Sequence, residues 1–253
     1  MAEYHVTALH YRFVSETDLD SFASAAPWSG SLGTFSCALS DGVLTAIPAV
    51  EFRDRDAAKR ALEPHLRAWE QGAFLSPSAY RIRFEYDRSD VEEVDPQPGS
   101  MTIFVETIGV TATAFAPTIR RGNAEYPSVD PLFVRSPLTD LLIERLRRTR
   151  DGGETWPAFA YFVLTRIEAE FGGEKGAIAA LAVSRNVLEG IGTICAKGDP
   201  DIGRKAGRTP ETITSSERAW LEAVVARLIR RVGEHAGGRP LQQITMADFP
   251  PLQ

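Results

Sequence analysis

The sequence predicts an α+β protein: a β-rich N-terminal part with one main helix, followed by an all-α C-terminal helical domain. Three observations carry this expectation. Apolar residues in the first half recur mostly at every second position, the period of a strand with one buried face. Asp41-Gly42 stands between two such runs, and that pair accepts the positive φ angles a tight hairpin demands. From Pro137 onward the apolar spacing changes to the three-and-four pattern of helices. The domains expected are 1–125, β-rich, and 138–253, helical. The proline-marked stretch "YPSVDPLFVRSP" holds the connecting segment, 126–137.

Taken in order, "YHVTALHYRF" alternates as a strand, and "GTFSCALSDGVLTAIPAVEF" reads as two strands about Asp41-Gly42. "RDAAKRALEPHLRAWEQG" is the helix, with Ala58, Leu62, Leu66 and Trp69 on one face and Pro64 expected to bend it. "AYRIRFEYD" places Tyr80, Ile82, Phe84 and Tyr86 on one side of a strand. "SMTIFVETIGVTATAFA" reads as one long strand, or as two that meet at Gly109. The helices follow. "SPLTDLLIERLRRTR" ends at a D-G-G stop. "WPAFAYFVLTRIEAEF" is apolar almost throughout and should bury Phe159, Val163, Ile167 and Phe171. "SRNVLEGIGTICAKG" carries Ser184 as its N-cap and Gly198 as its stop. "TSSE", Thr214 to Glu217, is a capping box that opens the longest helix, with an apolar stripe of Trp220, Val224, Val225, Leu228, Ile229 and Val232. The tail "ITMADFPPLQ" should pack back as an extended segment.

Composition narrows the function. The chain has 253 residues, 43% of them hydrophobic and 25% charged, as in ordinary globular domains. Its two cysteines, Cys37 and Cys195, are too few for a disulfide framework and fit a reducing cytoplasm. No signal peptide or membrane span is expected. Acidic side chains outnumber basic ones in the first half, and the two nearly balance in the second. The basic clusters (Arg145, Arg147, Arg148 and Arg150; Arg204, Lys205 and Arg208; Arg227, Arg230 and Arg231) read first as solvated faces.

Several chemistries fall away. His5 and His10, five apart on a strand, should face opposite sides, and no other ligands converge, so no metal and no cofactor are expected. "GDPDIGRK" has phosphate-loop spacing, but Arg204 and Lys205 stand where lysine and a hydroxyl should. A G-x-S-x-G elbow is absent. Glu168 and Glu170, two apart on a helix, do not face each other.

One pattern retains chemical interest. In "RLIRRVGEHAGG" Arg230 and His235 flank four residues at the end of the longest helix. A metal-independent ribonuclease needs a base for the ribose 2′-hydroxyl and a cation for the phosphate, and histidine and arginine supply these. In an unbroken helix the two would point about 140° apart; a break at Gly233 would let them converge. The same spacing recurs at Arg60 and His65, so the pattern alone does not identify a site.

The run of helices ending in R-x4-H resembles the HEPN superfamily over 138–253, and the β-rich part ahead of it resembles the layout of Apea-like HEPN proteins of bacterial defence. The resemblance implies a helical domain that dimerises and, in many members, cuts RNA without metal. The family usually has a small polar residue directly after the arginine; here it is Arg231. Two functions are expected. One is a cytoplasmic binding or assembly protein whose helical domain forms a homodimer, since the two apolar stripes must be buried somewhere. The other is an RNA-binding effector or endoribonuclease with Arg230 and His235 as catalytic candidates and Arg231, Arg204, Lys205 and Arg208 as phosphate contacts.

Overall fold

The computed structural model describes residues 3–16, 22, 25–76, 78–94, 103–104, 125–129, 133–197 and 213–252. The chain divides into two compact units, Met1–Phe74 with Ser78–Pro131, and Leu75–Pro77 with Leu132–Gln253. The fold is α+β: an antiparallel sheet with one helix, then a run of helices.

In the first unit, the strands are β1 (Glu3–Ser15), β2 (Trp28–Leu32), β3 (Phe35–Ser40), β4 (Val43–Pro48), β5 (Ile82–Val94) and β6 (Ile103–Phe104), and they form one sheet in the order β2-β3-β4-β1-β5-β6. Asp41 (φ 50°) and Gly42 (φ 74°) make the hairpin between β3 and β4, as the sequence leads one to expect. Alternation fixes the buried side: Phe35, Cys37 and Leu39 of β3 and Leu44 and Ala46 of β4 point into the core, and the residues between them, such as Ser36 and Thr45, point away from it. Against this side packs α1 (Arg55–Phe74), which buries Ala58, Leu62, Leu66 and Trp69. Pro64 lies inside that helix on its exposed face, where its missing N–H leaves the buried stripe intact. The Trp69 indole N–H donates to the Pro127 carbonyl at 2.8 Å.

Two features of this unit depart from the sequence reading. β2 is unanticipated: its Gly and Ser content is poor for a strand, and it exists by pairing along β3. His5 and His10 do not face opposite sides. The register slips between Val6 and Ala8, where β1 spends one extra residue against β5. His5 Nε2 therefore meets Glu92 at 3.4 Å and His10 Nε2 meets Asp90 at 2.9 Å. These carboxylates are two apart on β5 and so share one face. Of the long run "SMTIFVETIGVTATAFA", only Ile103–Phe104 lies within the described residues.

The second unit holds α2 (Pro137–Arg150), α3 (Trp156–Glu170), α4 (Glu174–Leu181), α5 (Arg185–Cys195) and α6 (Ser215–Ala236). Ser136 caps α2 through a reciprocal pair with Thr139. In α3, Phe159, Val163 and Ile167 are fully buried. Phe171 is only half-buried, because the helix has ended and it serves as the C-cap. Ser184 occupies the N-cap position of α5, yet its hydroxyl makes no capping bond. Gly198 lies outside the described residues. The tail returns as expected: Ile244 bridges Val183 in parallel, then a 3-10 turn spans Met246–Asp248. The apolar stripes of α3 and α6 are thus buried within a single chain. Among the described residues, no helix is long and apolar enough to cross a membrane.

Candidate functional site

Helix α6 organises the second unit. Thr214 Oγ1 accepts from the Glu217 N–H at 3.2 Å, and the Glu217 carboxylate accepts from the Thr214 N–H at 2.9 Å. Burial raises the pKa of Glu217, but the Thr214 amide and Lys197, 2.9 Å away, outweigh it and hold the carboxyl below its usual range. From this start the helix carries two faces. Trp220, Leu221, Val224, Val225, Leu228, Ile229 and Val232 are buried in the core. Ala219, Ala223, Ala226 and Arg230, spaced four, three and four residues apart, line a pocket instead.

The pocket has a volume of about 450 Å³, within the usual range for small-molecule sites. All its lining residues belong to the second unit: Glu222 and Arg227 beside the α6 stripe, Arg150 from the last turn of α2, Leu75 and Ser76, and Asp248 and Phe249 of the tail. Alanine at 219, 223 and 226 leaves the space. The tail closes it, held by Arg231, whose Nη2 donates to the Gln242 carbonyl at 2.8 Å, and by Ile244, whose N–H donates to the Ala182 carbonyl at 2.7 Å.

Three guanidiniums and two carboxylates face this space. Arg150 Nε stands 3.3 Å from Glu222 Oε1. Asp248 accepts from the Thr245 amide at 2.7 Å, and that bond, with the Thr245 hydroxyl and the charge of Arg227, keeps its carboxyl below the usual range. Among the described residues Arg227 has only a long contact to Glu234, 3.8 Å. Arg230 has neither an ion pair nor a hydrogen bond among the described residues, and its Nε is buried without an acceptor. The pocket therefore carries one excess positive charge, with Arg230 as its unpartnered donor.

The other residues singled out in the sequence lie elsewhere. His235 is exposed on the last turn of α6, its ring edge-on to Phe171 with centroids 5.2 Å apart. Helix α6 runs unbroken through Gly233, so Arg230 and His235 leave it about 140° apart and do not converge within one chain. Gly233 is a packing residue: a Cβ there would come within 2.3 Å of the Phe133 ring. Arg231, expected as a phosphate contact, is buried at 5% exposure, and besides Gln242 it holds Glu234 at 3.3 Å. Burial, with the charge of Arg227, lowers its pKa. Arg204, Lys205 and Arg208 lie outside the described residues. The second R-x4-H is structural: Arg60 pairs with Asp54 at 3.4 Å, and His65 packs against Gly33. Among the described residues no three His, Cys, Asp or Glu side chains gather as a metal site would require.

Of the pocket lining, sequence reasoning offered only Arg230 as a site candidate; it missed the rest, Arg150, Arg227, Asp248 and Phe249 among them. The two arginines read as solvated faces, and nothing local ties the tail to α6. The one available signal was the Ala219-Ala223-Ala226-Arg230 stripe, a second period on a helix whose first period already filled the core. No family model matches the chain, and no curated protein or solved structure matches it.

Proposed function

We propose that this is a binding protein whose helical unit holds an anionic group at Arg230. The observation that carries the reading is that guanidinium: it lines the pocket beside Arg150 and Arg227, without a partner among the described residues, and its Nε is buried. A buried donor left without an acceptor costs about 1–3 kcal/mol. An anion entering the pocket would supply acceptors, and the planar fork of arginine suits a carboxylate or a phosphate. The test is thermal melting of the full chain in acetate, phosphate and a short single-stranded RNA at low ionic strength. At least one should raise Tm, and by less in Arg230→Gln. If none shifts the wild-type Tm, the reading fails.

The second reading, RNA cleavage of the HEPN kind, is favoured by one observation: His235 is exposed at the end of the helix that bears the unpartnered Arg230. Their divergence weighs against a site built from one chain. The assay is cleavage of single-stranded and structured RNA, in chelator, by wild type, Arg230→Ala and His235→Ala. Cleavage that both substitutions abolish in folded protein would establish this reading; cleavage indifferent to His235 would dismiss it. Assembly through the helical unit is a weaker proposal, since the stripes that called for a partner are buried within the chain.

A further inference from the structure

Resting on the reading that Arg230 holds an anion, we infer that the ligand is a small amphiphilic organic anion, a single carboxylate or phosphate head on a flat apolar body. Charge limits the head. Arg150, Arg227 and Arg230 face Glu222 and Asp248 across the pocket, which leaves one positive charge to neutralise. A polyanion would bring further negative charges against Glu222 and Asp248. Arg150 is committed to Glu222 and Arg227 reaches Glu234, so of the three pocket arginines only Arg230 lacks a partner among the described residues, and these make no row of unpartnered cations to follow a polymer backbone.

The rest of the lining sets the body. Leu75, Ala219, Ala223, Ala226 and Phe249 contribute no polar side-chain group. Phe249 offers an aromatic surface on the inner side of the tail, itself set edge-on to the buried Trp220 with centroids 6.1 Å apart. An inorganic ion would fill little of about 450 Å³ and leave this wall in water. A one- or two-ring molecule would cover it and gain the burial of its apolar area. The alanines make the recess deep enough for such a body, which a solvated helix face does not require.

The probes are 1-naphthyl phosphate, 1-naphthoate, 1-naphthol, inorganic phosphate and a short single-stranded RNA, titrated calorimetrically into the full chain. At least one of the two naphthyl anions should bind about tenfold or more tightly than naphthol and inorganic phosphate, and the tighter of the pair identifies the head. Arg230→Gln should weaken it roughly tenfold to a hundredfold, the range for a charged hydrogen bond. Ala223→Leu, which fills the recess without touching a charge, should abolish it while the melting curve stays cooperative. Phosphate that binds as well as naphthyl phosphate, with loss in Arg230→Gln, would keep the anion reading and overturn this inference. So would RNA that binds more tightly than any small probe through Arg230. Naphthol equal to its anions, or no binding by any probe, would overturn both. Binding that survives Ala223→Leu would place the ligand outside this pocket and end the inference.

Discussion

Arg230 and Arg231 are neighbours on one helix with opposite circumstances. Arg231 points to the side where Glu234 and the Gln242 carbonyl wait, and it is buried with both Nη atoms engaged, although its Nε, like that of Arg230, has no acceptor among the described residues. Arg230, one residue earlier and 100° round the helix, points into a pocket and meets no acceptor among the described residues. A helix is often divided into a core face and a water face; α6 has a core face, a tail-binding edge and a third strip of alanines ending in Arg230. The difference teaches that a cluster of like charges in sequence is not one functional unit. The second arginine holds the tail and Glu234, while the first lines the pocket.

The largest effect should come from the core face. Trp220 is fully buried, and Trp220→Ala should cost about 3–5 kcal/mol in chemical denaturation. A loss below about 1 kcal/mol would show that the core face is not what holds α6. Next comes Arg231→Ala, which leaves Glu234, 3% exposed, with only the longer contacts to Arg227 and Arg239. We expect a loss of about 2–4 kcal/mol and increased protease cleavage of the tail after Gly238. If Arg230→Ala destabilises the fold as much as Arg231→Ala does, the contrast between the two arginines collapses.

Gly233→Ala tests the close approach of Phe133 and should cost about 1–3 kcal/mol by overpacking, although alanine is the better helix former. A gain in stability would mean that Phe133 can move aside. Thr214→Ala removes one half of the capping box and should cost about 1 kcal/mol. The cap also gives a pH signature. Glu217 has a folded pKa below its ordinary 4.5, so its contribution is present above that value and is lost as pH falls from there through the lower folded value. In acid denaturation, the difference in stability between wild type and Glu217→Gln should shrink over that window. A difference that stays constant with pH would refute the assignment. The pocket should show no loss at all: Arg230→Gln removes a buried donor that has no acceptor among the described residues, so it should not destabilise the fold while reducing anion binding, which separates a ligand residue from a structural one.

What the sequence determined by itself was local. The alternation of β3 and β4, the Asp41-Gly42 hairpin, the α1 stripe, the Thr214–Glu217 box and the two helical apolar stripes each depend on residues within one or two turns or one strand pair, so their periods are legible in order. β2 and α4 were illegible for the complementary reason. β2 is stabilised by its partner strand, and α4 has eight residues, too few to establish a period. The tertiary structure alone decided the rest. The bulge at Val6–Ala8 depends on β5 and turned two histidines to one side. Phe133 made Gly233 a packing site in place of a break. The tail returned to Val183 and carried Asp248 and Phe249 to α6, and the end of α2 brought Arg150. A pocket is a meeting of segments remote in sequence, and its chemistry depends on which charges find partners there, which no local spacing can specify.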